Sequence, residues 1–554
     1  MNRKKPWLKN YPENTPEEIV IDPRKTLVRV LDEAETEYPD NMAFANFGVS
    51  MSYRQVAKDS RSFAAYLQNV LGLKKGDRLA IMMPNLLQYP VAVFGALRAG
   101  LIVVNVNPLY TPRELEHQLR DSGAKAILIF EGSAHVLQEV MDKVNIEHVI
   151  ITKIGDYLGT LKGSLMNFVV KFVKRGIKSY KISNKIGFKS MLKRPEADFN
   201  ETSISINDLA FLQYTGATTG LSKGSMLSHA NIVANLEQLD ALLVDVLDDE
   251  GNDIFINALP MYHIYSLAVL VLAGYTKGGL NVFITNPRDT TGFVREIKKW
   301  PFTIFNGVNT LYEALLNHPE IDSVNFDSMK LSGTGGSACR RSTAERWQKL
   351  TGKVLLEGYG LSETSPSVSA SPPHLTEFNG KVGLPVPSTE ISIRGDDGKD
   401  VRRGQPGEIC VRGPQVMQGY WQNEEATAEA IDENGFFRTG DIGTLDKDGF
   451  LEIVDRKKDM ILVSGFNVYP NEIEDVVSLH PDIVEAACVS VPDKKTGEGV
   501  KLFVVKGNQG LTEKEIIAHC KENLTAYKVP KQIEFIDELP KTNVGKVLRR
   551  ALRE

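Results

Sequence analysis

Long apolar runs are absent from this 554-residue chain. None approaches the roughly 20 residues that span a bilayer, which excludes an integral helical membrane protein. The opening stretch, Met1 to Asn10, is polar and basic and has no apolar segment of the signal-peptide kind, so no leader is expected. Cysteine is scarce. Cys339, Cys410, Cys488 and Cys520 lie far apart and form no Cys-x-x-Cys pair, which excludes a disulfide framework and fits a reducing compartment. An excess of basic charge is also missing: 65 Lys and Arg stand against 70 Asp and Glu, a net charge of −5, so no nucleic-acid partner is expected. What remains is an ordinary globular composition, 42% apolar and 24% charged. The expected setting is the cytoplasm, or the inner face of the cell membrane.

Against this plain background one stretch stands out, Tyr214-Thr-Gly-Ala-Thr-Thr-Gly-Leu-Ser-Lys-Gly-Ser225. Gly216, Gly220 and Gly224 recur at every fourth position, between the hydroxyls of Thr215, Thr218, Thr219 and Ser222 and the single cation Lys223. Glycines let successive backbone N–H groups converge on an anion, hydroxyls add donors, and a lysine supplies a point charge. The flanks, an apolar run at Leu209 to Leu212 and helical periodicity from His229 to Leu243, predict a strand–loop–helix phosphate site. By itself such a stretch could be a flexible surface loop. It is not a Walker A loop, because Lys223 is followed by glycine rather than Ser or Thr.

From Arg78 to Phe130, and again after Leu209, short apolar strands alternate with helical patterns, which predicts right-handed βαβ units and a mostly parallel sheet. Thr111-Pro112 reads as a helix start. Gly333-Thr-Gly335-Gly336-Ser337 and Gly358-Tyr359-Gly360 read as glycine turns at strand ends, where ligands of open α/β sheets bind. Gly380 to Asp455 has the texture of a small β-rich region. Residues 156–194 break the charge balance: basic residues including Lys162, Lys171, Lys174, Arg175 and Lys178 are opposed only by Asp156, with Leu161, Leu165, Phe168, Val169 and Phe172 at helical spacing. That pattern suits an anionic membrane surface, although the apolar stripe could instead pack on its own domain.

Five stretches in order now resemble the adenylate-forming enzymes, the family of acyl-CoA synthetases, luciferases and peptide-synthetase adenylation domains. Tyr214 to Gly224 resembles their phosphate loop and Tyr359-Gly-Leu-Ser-Glu-Thr364 their second core motif. Thr439-Gly-Asp441, Arg456 to Glu474 and Pro540-Lys-Thr-Asn-Val-Gly-Lys546 resemble the later ones. The similarity runs from about Thr26 to Arg550 and is strongest to bacterial long-chain-fatty-acid–CoA ligases, partly through the basic insertion.

The resemblance implies an α/β fold. A large N-terminal domain (residues 1–455) of α/β subdomains and a small β-rich subdomain would precede a small, mobile α/β lid (residues 456–554). It implies ATP, Mg²⁺ and coenzyme A: a fatty-acid carboxylate attacks the α-phosphorus, pyrophosphate leaves, and the thiol then takes the acyl group from AMP. Thr215, Gly216, Thr218, Thr219, Gly220 and Lys223 would hold the outer phosphates; Glu363, with Thr215, would bind Mg²⁺; Thr364 would meet the α-phosphate. Tyr359 would stack on adenine against Gly335, Gly336 and Ser337, and Asp441 and Arg456 would bind ribose. Lys546 would be the mobile catalytic lysine, Lys458 the hinge, Gly465 a wall of the pantetheine passage, and His263 a neighbour of the acyl carboxylate. Leu267 stands where some long-chain enzymes carry a gating Trp, which leaves chain length open. A medium-chain or aryl-acid ligase, a phosphate-releasing NTPase and a non-catalytic scaffold are the rivals, and a homodimer is a fair prior.

Overall fold

The computed structural model describes residues 5–174, 176–214, 222–464, 466–493, 495–542 and 547–553. Among these the strands form four sheets. The first is seven-stranded, in the spatial order Ile186–Gly187, His148–Thr152, Ala126–Phe130, Arg78–Met82, Ile102–Asn105, Leu209–Tyr214, Gly224–Ser228. Its strands run parallel except the last, which pairs antiparallel with Leu209–Tyr214. The second is nine-stranded, with a parallel centre that contains Leu355–Gly360, Leu331–Gly335, Ile304–Gly307, Ile254–Asn257, Leu280–Phe283 and Met42–Asn46. Its central strands are apolar on both faces, because helices cover both sides of a parallel sheet.

One apolar core joins the two sheets. Phe44 and Tyr275 from the nine-stranded side meet Leu79, Ile81 and Phe211 from the seven-stranded side through the helices Tyr53–Asn69, Gln88–Arg98 and His229–Leu242. The expected helix at Thr111-Pro112 is present as Pro112–Ser122. Thr111 and Glu114 form a reciprocal capping box, so the first turn's free N–H groups find partners locally.

The β-rich region is a four-stranded antiparallel sheet, Glu390–Arg394, Gly407–Arg412, Phe437–Leu445 and Leu451–Arg456. The small C-terminal domain carries its own sheet, built on the hairpin Ile483–Asp493 and Gly497–Lys506, with helices Pro470–Ser478 and Glu513–Asn523 packed on it.

Two expectations need correction. The phosphate-site frame is not strand–loop–helix: Gly224–Ser228 is a strand that folds back on Leu209–Tyr214, and the helix starts only at His229. That helix start is itself capped by Ser228 and Asn231, so its first N–H groups are already engaged. Gly333, Gly335, Gly358 and Gly360 lie inside strands rather than in turns. The glycines are needed for close approach instead: a Cβ on Gly333 would sit 1.9 Å from Asn306 Oδ1, and one on Gly360 would sit 2.0 Å from the Pro366 carbonyl oxygen.

Candidate active site

Tyr359 and Glu363 lie near and just beyond the carboxyl end of strand Leu355–Gly360, where ligands of open α/β sheets bind. Gly224 begins the return strand of the hairpin, and the Tyr214 ring lies so close that a Cβ on Gly224 would be 3.0 Å from it. The Tyr214 hydroxyl donates to Asp121 Oδ2 at 2.5 Å, and His117 Nε2 lies 2.8 Å from the Ser222 carbonyl oxygen, so helix Pro112–Ser122 braces the hairpin. Thr215, Gly216, Thr218, Thr219 and Gly220 fall outside the described residues, as do Gly465 and Lys546.

Lys223 extends from this hairpin over the ring of Tyr420, with Nζ 5.0 Å from the ring centre. The Tyr420 hydroxyl donates to Glu363 Oε1 at 3.0 Å. Glu363 is buried, and burial pushes its carboxyl above the usual carboxylate range against the opposing influence of the Tyr420 hydroxyl and Arg456. Thr364 is fully buried; its hydroxyl donates to carbonyl oxygens of its own turn, Leu361 and Pro366, and accepts from the Leu361 amide at 3.0 Å.

Across the site, strand Leu355–Gly360 presents Glu357 and Tyr359 on one face, by its two-residue alternation. The Tyr359 hydroxyl donates to Asp441 Oδ2 at 2.7 Å, and Arg456 Nε lies 3.1 Å from Asp441 Oδ1. Asp441 and Arg456 face each other across adjacent antiparallel strands, which is why residues fifteen apart form a pair. Gly335 closes the neighbouring strand against Tyr265, with Gly336 at positive φ and Ser337 beyond it.

His263 follows strand Ile254–Asn257 of the nine-stranded sheet, in a loop clamped from the seven-stranded side. Gln213 Nε2 donates to the Tyr262 carbonyl oxygen at 2.9 Å, and Asn85 binds the Leu259 carbonyl oxygen at 2.8 Å and the Met261 amide at 2.9 Å. His263 Nδ1 accepts the Tyr265 amide at 3.3 Å, which assigns the ring proton to Nε2. Leu267 is wholly buried in the shared core.

Tyr420 and Glu357 were not singled out from the sequence. Tyr420 carries no local signal; Glu357 had one, its place two residues before Tyr359. Glu357 is buried, its Oε2 has no hydrogen-bond partner, and burial pushes its carboxyl up to about 8. Two cavities, of about 600 and 930 Å³, open on the four-stranded sheet around Arg394. Neither is lined by any of the motif residues, so concavity alone does not mark this site.

Among the described residues no group of three or more His, Cys, Asp or Glu side chains could hold a metal ion by itself. A hard cation would share the single Glu363 carboxylate with phosphate oxygens and water, a donor set that suits Mg²⁺.

A buried carboxylate near a lysine-bearing hairpin and a tyrosine–aspartate–arginine group thus come together in an α/β protein with a large and a small domain. Residues 31–421 match the AMP-binding enzyme family and residues 472–546 match the AMP-binding enzyme C-terminal domain, and the chain belongs to this family. Over its whole length it is similar to the long-chain-fatty-acid–CoA ligase of Escherichia coli O157:H7, 55% identical over 552 residues that cover 100% of this chain and 98% of that one. The ligase of the same name from Haemophilus influenzae is 50% identical, with 99% and 98% covered. The solved structure of ATP-bound MatB from Rhodopseudomonas palustris shares the fold, with a TM-score of 0.83 at 28% identity over 96% of this chain and 98% of that chain.

Proposed function

We propose that the protein converts a long-chain fatty acid to its acyl-CoA through an acyl-adenylate, releasing pyrophosphate and AMP. The observation that carries this reading is the convergence of Lys223, Glu363, Tyr359, Asp441 and Arg456, drawn from separate segments, on one site, in a chain at least half identical to enzymes of that name. Charge spreads over phosphate oxygens as the carboxylate attacks, so catalysis is mostly positioning and fixed positive charge.

Lys223 supplies that charge to the outer phosphates, beside the hairpin amides and the hydroxyls of Thr215, Thr218 and Thr219. Glu363, with Thr215, would hold Mg²⁺, which neutralises phosphate charge when bound. The Tyr359 ring offers a face to adenine while its hydroxyl stays on Asp441; Asp441 and Arg456 together bind the ribose hydroxyls as acceptor and donor. The Nε2 proton of His263 faces the acyl carboxylate. Lys546 bridges carboxylate and α-phosphate in the first step. The C-terminal domain then turns about the junction at Arg456 to Lys458, which brings Gly465 to the thiol passage.

The insertion supports a second part of the reading, association with an anionic membrane surface. Its helix runs Thr160–Phe168 and continues as a wider turn through Val173. Leu161 is 87% exposed, and Leu165, Phe168, Phe172 and Val173 are more than half exposed, so the apolar stripe does not pack on its own domain. Its opposite side is pinned: a Cβ on Gly163 would lie 2.3 Å from the Gly155 carbonyl oxygen. Lys171 Nζ lies over the Phe172 ring at 5.4 Å, so a cation sits directly beside the exposed apolar stripe. Among the described residues no helix is long and apolar enough to cross a membrane.

The test is acid-dependent release of AMP and pyrophosphate from ATP with coenzyme A, across acetate, octanoate, palmitate, oleate and 4-coumarate. A maximum at palmitate or oleate is expected. A maximum at octanoate or coumarate would overturn the long-chain reading, and no AMP with any acid would overturn the activity itself.

A further inference from the structure

Segment 414–421 is fastened on three sides. Asn231 donates to the carbonyl oxygens of Pro414 and Val416 at 2.8 Å each. The Met417 amide donates to the Glu363 carbonyl oxygen at 2.8 Å. Beyond it the chain runs antiparallel to the return strand of the hairpin: Gln418 N donates to Met226 O at 3.0 Å, Met226 N to Gly419 O at 2.9 Å, and Trp421 N to Gly224 O at 2.8 Å. Gly419 sits at φ 142°, and a Cβ there would lie 2.7 Å from Thr427. Backbone bonds to both motif segments therefore fix where the Tyr420 side chain starts.

That side chain then spends both of its polar features on the two charged motif residues. Its ring face lies under Lys223 Nζ at 5.0 Å, and its hydroxyl donates to Glu363 Oε1 at 3.0 Å. A tyrosine kept only to fill the core needs one partner for its hydroxyl and no cation on its ring face. Here an ammonium on the ring and a carboxylate on the hydroxyl are each held by a charge-strengthened contact.

We propose that Tyr420 is a positioning residue of the phosphate site: it holds the Lys223 ammonium and the Glu363 carboxylate in place and apart, so that both are set before ATP arrives. This rests on the reading that Lys223 and Glu363 serve the phosphates. The ring sets the lysine and the hydroxyl sets the carboxylate, so the two functions separate by substitution.

The experiment compares Tyr420→Phe, Tyr420→Leu and Lys223→Met with the parent enzyme. ATP affinity is measured by calorimetric titration without divalent metal, kcat and KM for ATP by pyrophosphate release, and folding by thermal unfolding. Tyr420→Phe keeps the ring: metal-free ATP affinity stays within about twofold while kcat falls about tenfold, the size expected for one lost charge-assisted hydrogen bond. Tyr420→Leu loses about tenfold in metal-free ATP affinity as well, and the ring of the Phe variant restores it. Equal behaviour of Phe and Leu, or parent values in both, overturns the proposal. A loss in Leu that merely tracks a lower unfolding temperature is settled by Phe, whose packing is nearly unchanged. Unchanged ATP affinity in Lys223→Met would overturn the phosphate-site reading itself; weakened affinity there with no effect of Tyr420→Leu overturns only the role of Tyr420.

Discussion

The body of the protein and its small C-terminal domain each close around an apolar core, and the contact between them is of another kind. The body is built around a large apolar core in which Tyr53, Phe94, Leu267 and Tyr275 are fully buried, and that core encloses an ion pair, Arg98 to Glu35 at 2.6 Å, beside neutral links such as Asn105 to Gln213 at 3.0 Å. The C-terminal domain centres its polar contacts on charge. Arg549 lies 2.8 Å from Glu474 and within 3.7 Å of Asp455 and Asp459. It touches the body through polar groups, Arg340 Nη1 on the Val484 carbonyl oxygen at 2.9 Å and the Asn471 amide on Asp455 at 2.8 Å. Apolar contacts have no substitute in water, whereas polar contacts exchange for water at small net cost. A domain joined by the second kind can part from the body without unfolding it.

The comparison breaks or sharpens at four places. The largest effect is expected for Lys546→Ala: adenylation falls by at least about 10²–10³-fold, while thioester formation from preformed acyl-adenylate is largely kept. Equal loss in both steps, read by pyrophosphate release and by single-turnover transfer to coenzyme A, would deny the small domain a step-specific role. Next comes Arg549→Met, which leaves the buried Asp455 and the half-buried Glu474 without their cation, while Asp459 keeps Arg553 at 2.8 Å. It should cost roughly 3–5 kcal/mol, confined to the C-terminal domain, so that denaturant unfolding splits into two transitions with hydrogen exchange fastest after residue 456. A single shared transition would mean that the two regions are one cooperative unit.

Glu357→Gln probes the junction through pH. The Glu357 carboxyl is pushed up to about 8 from 4.5 by burial, with Asp475 of the C-terminal domain adding to the rise. The folded state therefore keeps a proton that the unfolded chain has lost. The contribution is full below pH 4.5 and disappears as pH rises toward 8, by about 1.4 kcal/mol per pH unit at most. Glu357→Gln should flatten the stability–pH curve between pH 5 and 8. A curve as steep as the parent's would place the dependence elsewhere, Glu474 (pushed up to about 7) being the next candidate. The smallest stability effect belongs to the exposed helix: Leu165→Asp should change unfolding free energy by less than about 0.5 kcal/mol yet weaken binding to anionic vesicles. A large destabilisation would show that this helix belongs to the core after all.

Much of this arrangement was legible beforehand. Alternating apolar strands and helices marked mostly parallel βαβ architecture, and Thr111 with Pro112 marked a helix start, because these signals are local. The motif residues named the chemistry, since glycine, hydroxyl and lysine at short spacing have few other uses together. The hairpin was misread because Gly224-Ser-Met-Leu-Ser228 is a strand only by virtue of its partner Leu209–Tyr214. The glycines of strands Leu331–Gly335 and Leu355–Gly360 looked like turns for the same reason: what they avoid, Asn306 and Pro366, is invisible from the local sequence.

The sequence by itself determined the kinds of group available and the local geometry of each element: caps, strand periods, and the hairpin's glycines with Lys223. Only the tertiary structure decided which groups meet. Tyr420 joins Glu363, 57 residues away, to Lys223, and Asn85 and Gln213 reach from separate segments to one histidine loop. It also decided that the stripe of Leu161, Leu165 and Phe168 faces outward, because Gly163 docks the other side. Such contacts depend on how whole sheets and helices close around a shared core, and a closure set by packing leaves no mark at the short spacing where sequence patterns are read.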